Sequence, residues 1–194
     1  MRIKGQFPST IQLSSHYGDN GFELDGANPY DRSGTSVNNA GDVNGDGVND
    51  IIIGAPGHSS AAFGETGKTH VVFGKRSGWT SPLSLSNLND KDGFQLESVF
   101  AYDYSGISVS NEGDVNGDGV DDIIMGATSV GNRAVSHSGK TYVIFGKRTG
   151  WMSTTPLENL DGSTGFELIG IGDEYSGNAV SSAGDINGDR VSPI

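Results

Sequence analysis

The chain has 194 residues, among them 31 glycines, 6 prolines and no cysteine, and a formal net charge of -12. That balance argues against nucleic acid and anionic membrane surfaces as partners, since both need a basic face, but it suits cations. The missing cysteine removes disulfides and thiolate zinc sites, and no apolar run approaches the ~20 residues of a membrane span.

Glycine this dense, without a collagen period, predicts short strands joined by tight turns. The start of the segment 1–20, Met1 to Phe7, has no apolar core of signal-peptide type. Shifted forward by 72, Phe7 falls on Trp79 and Leu13 on Leu85, so the segment reads as the tail of a preceding repeat. The repeat itself begins at Gly21-Phe22-Glu23-Leu24. This run returns as Gly93-Phe94-Gln95-Leu96 and as Gly165-Phe166-Glu167-Leu168, a spacing of 93 − 21 = 72 and 165 − 93 = 72. Ser33-Gly34, Gly41 to Asp46, Phe73-Gly74-Lys75-Arg76 and Trp79 recur in the same register. A fixed period of this kind is the signature of a stacked architecture. It divides the chain into a first unit at 21–92, a second at 93–164 and the truncated start of a third at 165–194.

Within each unit the elements read as β. Phe22-Glu23-Leu24 and Gly34 to Val37 are short strand candidates. Asp50 to Ala55 is a β-branched run ending in glycine, the pattern of a buried strand, and Lys68 to Gly74 is another. The stretches 83–91 and 155–163 read as polar connections, the first tacked down by Leu83, Leu85 and Leu88. Four short strands per unit, separated by glycine turns, is the pattern of a propeller blade. The fold class expected is therefore all-β, a partial β-propeller.

Between the second and third strand candidates lies an acidic loop. Asp42, Asn44, Asp46 and Asp50 place side-chain oxygens at loop positions 1, 3, 5 and 9, Val48 offers a backbone carbonyl at position 7, and Gly47 permits the sharp turn. The second unit repeats the plan with Asp114, Asn116, Asp118, Val120 and Asp122. Ca²⁺ takes 6–8 oxygens at roughly 2.3–2.6 Å, which a short loop of alternating oxygens can supply, whereas Mg²⁺ prefers a tighter octahedron and keeps its waters. Ca²⁺ is thus the expected cofactor. An EF-hand needs an acidic ligand at position 12 and a helix after it, but position 12 is Ile53 or Met125, inside a strand-like run. Asx and glycine turns without metal are the plainer alternative; they do not need four oxygen side chains at alternating positions, twice over. A third loop keeps Asp185, Asn187 and Asp189 but has Arg190 at position 6 and Pro193 at position 9, so it is a weaker candidate.

Other motifs carry less. Ala62 to Thr69 and Ala134 to Thr141 resemble loosened phosphate-binding loops, but a strand follows where a helix is required, so each reads as a turn entering a strand. His16, His58, His70 and His137 occupy unrelated repeat positions and read as surface or strand residues. Trp79 and Trp151 are repeat-equivalent. They read as packing between blades, with sugar stacking as the functional alternative.

The acidic loop, the Ile-Ile-x-Gly-Ala strand and the Phe-Gly strand together resemble the FG-GAP repeats of integrin α-chain β-propellers and their bacterial relatives. The naming residues are Phe73-Gly74 with Gly54-Ala55-Pro56, and Phe145-Gly146 with Gly126-Ala127-Thr128, the last departing at the proline. The resemblance runs from residue 21 onward. It implies a radial propeller of about seven blades, of which this chain supplies a part, with Ca²⁺ in the loops of one face. The missing cysteine points to a bacterial member. It further implies a non-catalytic module that is extracellular or at the cell surface and binds a protein or glycan ligand. The alternatives are an accessory propeller region of a larger secreted hydrolase or phospholipase, and a glycan-binding propeller. Remaining blades, or a second copy meeting an open edge, are further expected partners.

Overall fold

The β-branched runs at 51–53, 71–72, 123–124 and 143–144 become strands here, and these runs are almost wholly buried. The computed structural model describes residues 21–60, 64–79, 81–128, 138–172 and 174–184. The expected tail at 1–20 and the third loop at Asp185, Asn187 and Asp189 lie outside these residues. The first repeat contributes β1 (Leu24–Asp25), β2 (Ser36–Gly41), β3 (Asp50–Ala55), the small hairpin β4 (Ser59–Ser60) and β5 (Gly64–Glu65), β6 (Lys68–Val72) and β7 (Leu83–Ser84). The second contributes β8 (Gly93–Glu97), β9 (Ser108–Gly113), β10 (Asp122–Ala127), β11 (Lys140–Ile144) and β12 (Thr154–Pro156), and β13 (Gly165–Ile169) follows. A 3₁₀ turn at Leu85–Asn87 and its equivalent at Leu157–Asn159 follow β7 and β12.

Two larger sheets carry the fold. One has the order β2-β3-β6-β8 with antiparallel neighbours, extended beyond β8 by β12 in parallel; the other has the order β9-β10-β11-β13. The small pair β1-β7 repeats the β8-β12 arrangement one repeat earlier. Strand pairing therefore adds a phase to the repeat. The Gly-Phe-x-Leu strand that opens each sequence repeat closes the sheet of the preceding one, so the sheets occupy 36–97 and 108–169, not the units 21–92 and 93–164. Pairing of Val71 with Phe94 and of Val143 with Phe166 fixes this register. The stretch 83–91, expected as a connection, supplies strand β7 as well as the turn that buries Leu85.

The core lies between the two sheets. Ala40, Ile52, Val71, Phe94 and Leu96 of the first meet Val109, Ile123, Met125, Tyr142 and Ile144 of the second. Ile53, Val72, Leu85 and Leu88 form a smaller cluster on the first sheet's other face, with Leu24 and Trp79 against it. A buried side chain of this size contributes roughly 1.5–3 kcal/mol, so the stack of sheets, rather than any single sheet, is the stable object.

Glycine at one strand position sets how closely the sheets approach. A Cβ on Gly54 would lie 1.9 Å from the carbonyl oxygen of Gly106, and one on Gly126 would lie 1.7 Å from that of Gly177. The same carbonyls accept hydrogen bonds from Ser36 Oγ at 2.9 Å and Ser108 Oγ at 2.8 Å. The glycine of the Ile-Ile-x-Gly-Ala strand is thus a docking point for the following repeat. The sheets do not close into a ring. Leu96 is fully buried, whereas its equivalent Leu168 is 42% exposed and the adjoining Ile169 61%.

Candidate metal loops

Each acidic loop connects the first two strands of its sheet, and the following strand anchors it. Asp50, the first residue of β3, is buried; its Oδ2 accepts the Val43 amide at 3.0 Å and its Oδ1 the Gly74 amide at 2.7 Å. Asp122, the first residue of β10, does the same with the amides of Val115 and Gly146, both at 2.8 Å. Burial pushes the Asp50 carboxyl up to about 7, against the Gly74 and Val43 hydrogen bonds that lower it, and the charges of Asp46 and Asp42 add to the rise. Burial likewise raises Asp122 to about 6, opposed by the Gly146 and Val115 amides, with Asp118 adding to the rise. Two carboxylates held in low dielectric beside like charges favour a nearby cation.

The exposed part of each loop is organised by its own side chains. Asp42 takes the amides of Asp46 at 2.9 Å and Gly47 at 2.8 Å on its two oxygens, Asn44 Oδ1 also takes the Asp46 amide at 2.9 Å, and Asp46 Oδ1 takes the Val48 amide at 2.8 Å. In the second loop Asp114, Asn116 and Asp118 make the equivalent four bonds at 2.8–2.9 Å. Gly47 (φ 82°) and Gly119 (φ 80°) turn the chain through the left-handed region, where a side chain is strained. Among the described residues, nothing donates to the carbonyls of Val48 or Val120. These are the backbone oxygens at position 7.

The donor set thus consists of oxygens alone, as a hard cation requires. Convergence is the part not in place. Among the described residues, no three His, Cys, Asp or Glu side chains meet at a point that could hold a metal ion. Asp42, Asp46 and Asp50 instead spread onto backbone amides, so a cage would also draw on the neutral oxygens of Asn44 and Val48, and on Asn116 and Val120 in the second loop.

Three further residues belong to these loops. Arg76 Nη2 donates to Gly47 O at 3.0 Å, and Arg148 Nη2 donates to Gly119 O at 3.0 Å. Arg148 also crosses to the other loop through Nη1, 3.2 Å from Gly45 O. Asp121 reaches across in the same direction and accepts the Asp42 amide at 2.8 Å. Recurrence of Phe-Gly-Lys-Arg at 73–76 and 145–148 was the available signal for the arginines. Nothing comparable marks Asp121, which sits at position 8, outside the alternation of cage oxygens.

The remaining sequence candidates resolve as packing or local polar contacts. Trp151 stacks on Phe94 at 3.8 Å between ring centroids, with Lys147 Nζ 4.6 Å from its ring centre, and its indole N–H donates to Lys147 O. Trp79 stacks on Phe22 at 4.1 Å and donates to Lys75 O. These rings pack between elements, each stacked on a phenylalanine, and Trp151 remains only partly buried. His70 is a fully buried strand residue, whereas His58 is not on the surface as a histidine there could have been. Its Nδ1 lies 3.3 Å from Asp31 Oδ2 and its Nε2 lies 3.1 Å from Glu97 Oε1. His16 and His137 lie outside the described residues. Gly64–Glu65 and Gly67 turn the chain into β6, as expected for the first phosphate-loop lookalike.

Similarity to known proteins agrees with this geometry. The chain is 35% identical over 132 residues to human phosphatidylinositol-glycan-specific phospholipase D, covering 66% of this chain and 15% of that protein. It is 33% identical over 132 residues to chicken integrin alpha-6, covering 66% of this chain and 10% of the integrin. It is 33% identical over 114 residues to integrin alpha pat-2 of Caenorhabditis elegans, covering 57% of this chain and 8% of that one. The chain therefore spans a small fraction of the curated relatives it matches. The FG-GAP repeat family model matches residues 33–72 and 105–144, each stretch running from the Ser-Gly before one first strand to the end of the third strand of the same sheet. The chain carries two FG-GAP repeats, which form adjacent sheets of a partial, unclosed β-propeller.

Proposed function

We propose that the chain is a calcium-binding, non-catalytic propeller segment of a larger extracellular or cell-surface protein, and that its loops present a rigid face to a macromolecular ligand. One observation carries the reading. Two loops 72 residues apart build the same oxygen-rich amide network bond for bond, each closed by a buried aspartate. A turn needs no such donor set, and a cation explains why oxygen stands at every alternate position. Relatives named integrin alpha favour an adhesive or ligand-binding role.

The test is thermal unfolding in excess Ca²⁺ and in excess chelator. A ligand that binds the native state alone stabilises it by mass action, so chelation should lower Tm. Asp46→Ala combined with Asp118→Ala should remove most of that difference. A melting curve indifferent to chelator ends the calcium reading.

A second reading has its own support. The match to a phospholipase D over two thirds of this chain favours an accessory propeller beside a catalytic domain. The flanking coding sequence decides between them. A glycan-binding role would use the repeated tryptophans Trp79 and Trp151, and a glycan array comparing the parent with Trp79→Ala addresses it.

A further inference from the structure

The cage of the first loop uses positions 1, 3, 5, 7 and 9, and the second loop follows the same plan. Position 8 of the second loop is Asp121, an acidic residue that its own cage does not need. Its carboxylate leaves its own loop. Asp121 Oδ2 accepts the backbone N–H of Asp42 at 2.8 Å, and the Asp121 amide donates to Asp42 O at 3.3 Å. One residue of the second repeat thus grips the position-1 residue of the first loop on both sides of its Cα. Two neighbouring contacts extend the grip: the Lys147 amide donates to Val43 O at 3.0 Å, and Arg148 Nη1 reaches Gly45 O at 3.2 Å. Residues 42, 43 and 45 of the first loop are therefore held by the second repeat.

The two peptide planes flanking Asp42 set the direction of its Cα–Cβ bond, and so where its carboxylate can go. Groups that orient a ligating side chain without touching the ion govern affinity through that orientation. We infer that Asp121 is a positioning residue for the calcium site of the first loop, so that a site formed by one repeat is completed by the next. This inference rests on the calcium reading of the loops. Arg148 has a different part. It binds carbonyls of both loops, at Gly45 and at Gly119, and so stiffens the two together.

Calcium titration calorimetry on the full chain in two backgrounds tests the inference. Asp118→Ala leaves the first loop to be read, and Asp46→Ala leaves the second. Asp121→Ala should weaken Ca²⁺ binding about tenfold in the first background, and leave it within about twofold in the second, a change of less than ~0.5 kcal/mol. Asp121→Asn keeps an acceptor oxygen for the Asp42 amide and should restore most of the lost affinity, which a general loss of folding would not allow. Arg148→Met should weaken both loops. An unchanged first-loop affinity in Asp121→Ala, or an equal loss in both loops, overturns the inference. Binding that is absent from both backgrounds before Asp121 is touched overturns the calcium reading, and the inference falls with it.

Discussion

The two repeats have nearly the same strands and very different surroundings. Phe94 and Leu96 on β8 are fully buried, because the second sheet and Trp151 cover them. Phe166 and Leu168 stand at the same positions of β13 and are partly open, Leu168 at 42% exposure. Burial is therefore a property of the stack rather than of the repeat. An apolar residue in this pattern stabilises the fold only where a neighbouring sheet reaches it.

The largest expected effect tests that difference directly. Leu96→Ala should cost about 3 kcal/mol, in the range for a large-to-small change in a packed core, whereas Leu168→Ala should cost below ~1 kcal/mol because its side chain already meets solvent. Urea unfolding of both variants measures the pair. Equal losses would mean that the Leu168 face is covered in solution.

A second contrast lies in the polar groups that the two sheets bury. His70 on β6 and Tyr142 on β11 are equivalent, as are Asp31 and Asp103. Burial chiefly, with the Lys68 charge adding to it, lowers His70 to about 4. Its contribution to stability is complete above its ordinary value of 6.5 and is lost as pH falls toward 4, a span of ~3 kcal/mol. Asp103 runs the opposite way. Burial raises it to about 6, against hydrogen bonds from Ser98 at 2.6 Å and Tyr142 at 3.3 Å. Its contribution is complete below 3.8 and is lost as pH rises toward 6, again by ~3 kcal/mol. In a pH series from 4 to 7, His70→Gln should lose less stability on acidification than the parent, and Asp103→Asn should lose less on going from pH 4 to 6. Parallel curves for parent and variant would show that the group does not titrate in that window.

The smallest effect concerns what the repeats share. Ser36 and Ser108 make the same hydrogen bond to the next repeat, so Ser36→Ala and Ser108→Ala should each cost about 1 kcal/mol and agree closely. A clear inequality in their denaturation midpoints would mean that one inter-repeat contact is looser than the other.

Much of this organisation was legible in the sequence. The 72-residue period, the strands at Asp50 and Lys68 and the placement of the acidic loops follow from local patterns that recur. Phase was not legible, because a period fixes spacing but not which strand pairs with which. That Phe94 lies beside Val71 is a long-range contact with no local mark. The two-residue strands β4, β5 and β7 are too short to show alternation. The His58 bridge escaped because its partners Asp31 and Glu97 come from different repeats, and Glu97 becomes Ile169 one period on. Asp121 escaped because its role is played in a loop other than its own.

The offset between sheet and repeat also sets where the gene can be divided. A boundary drawn after Asp92 follows the sequence motif but strips β8 from its sheet and bares the β6 edge, an invitation to intermolecular pairing. A boundary drawn after Glu97 keeps all four antiparallel strands together. The segment that can be copied as a sequence unit is thus not the segment that can be excised as a folding unit, and duplicated copies are laced to one another from the moment they are joined.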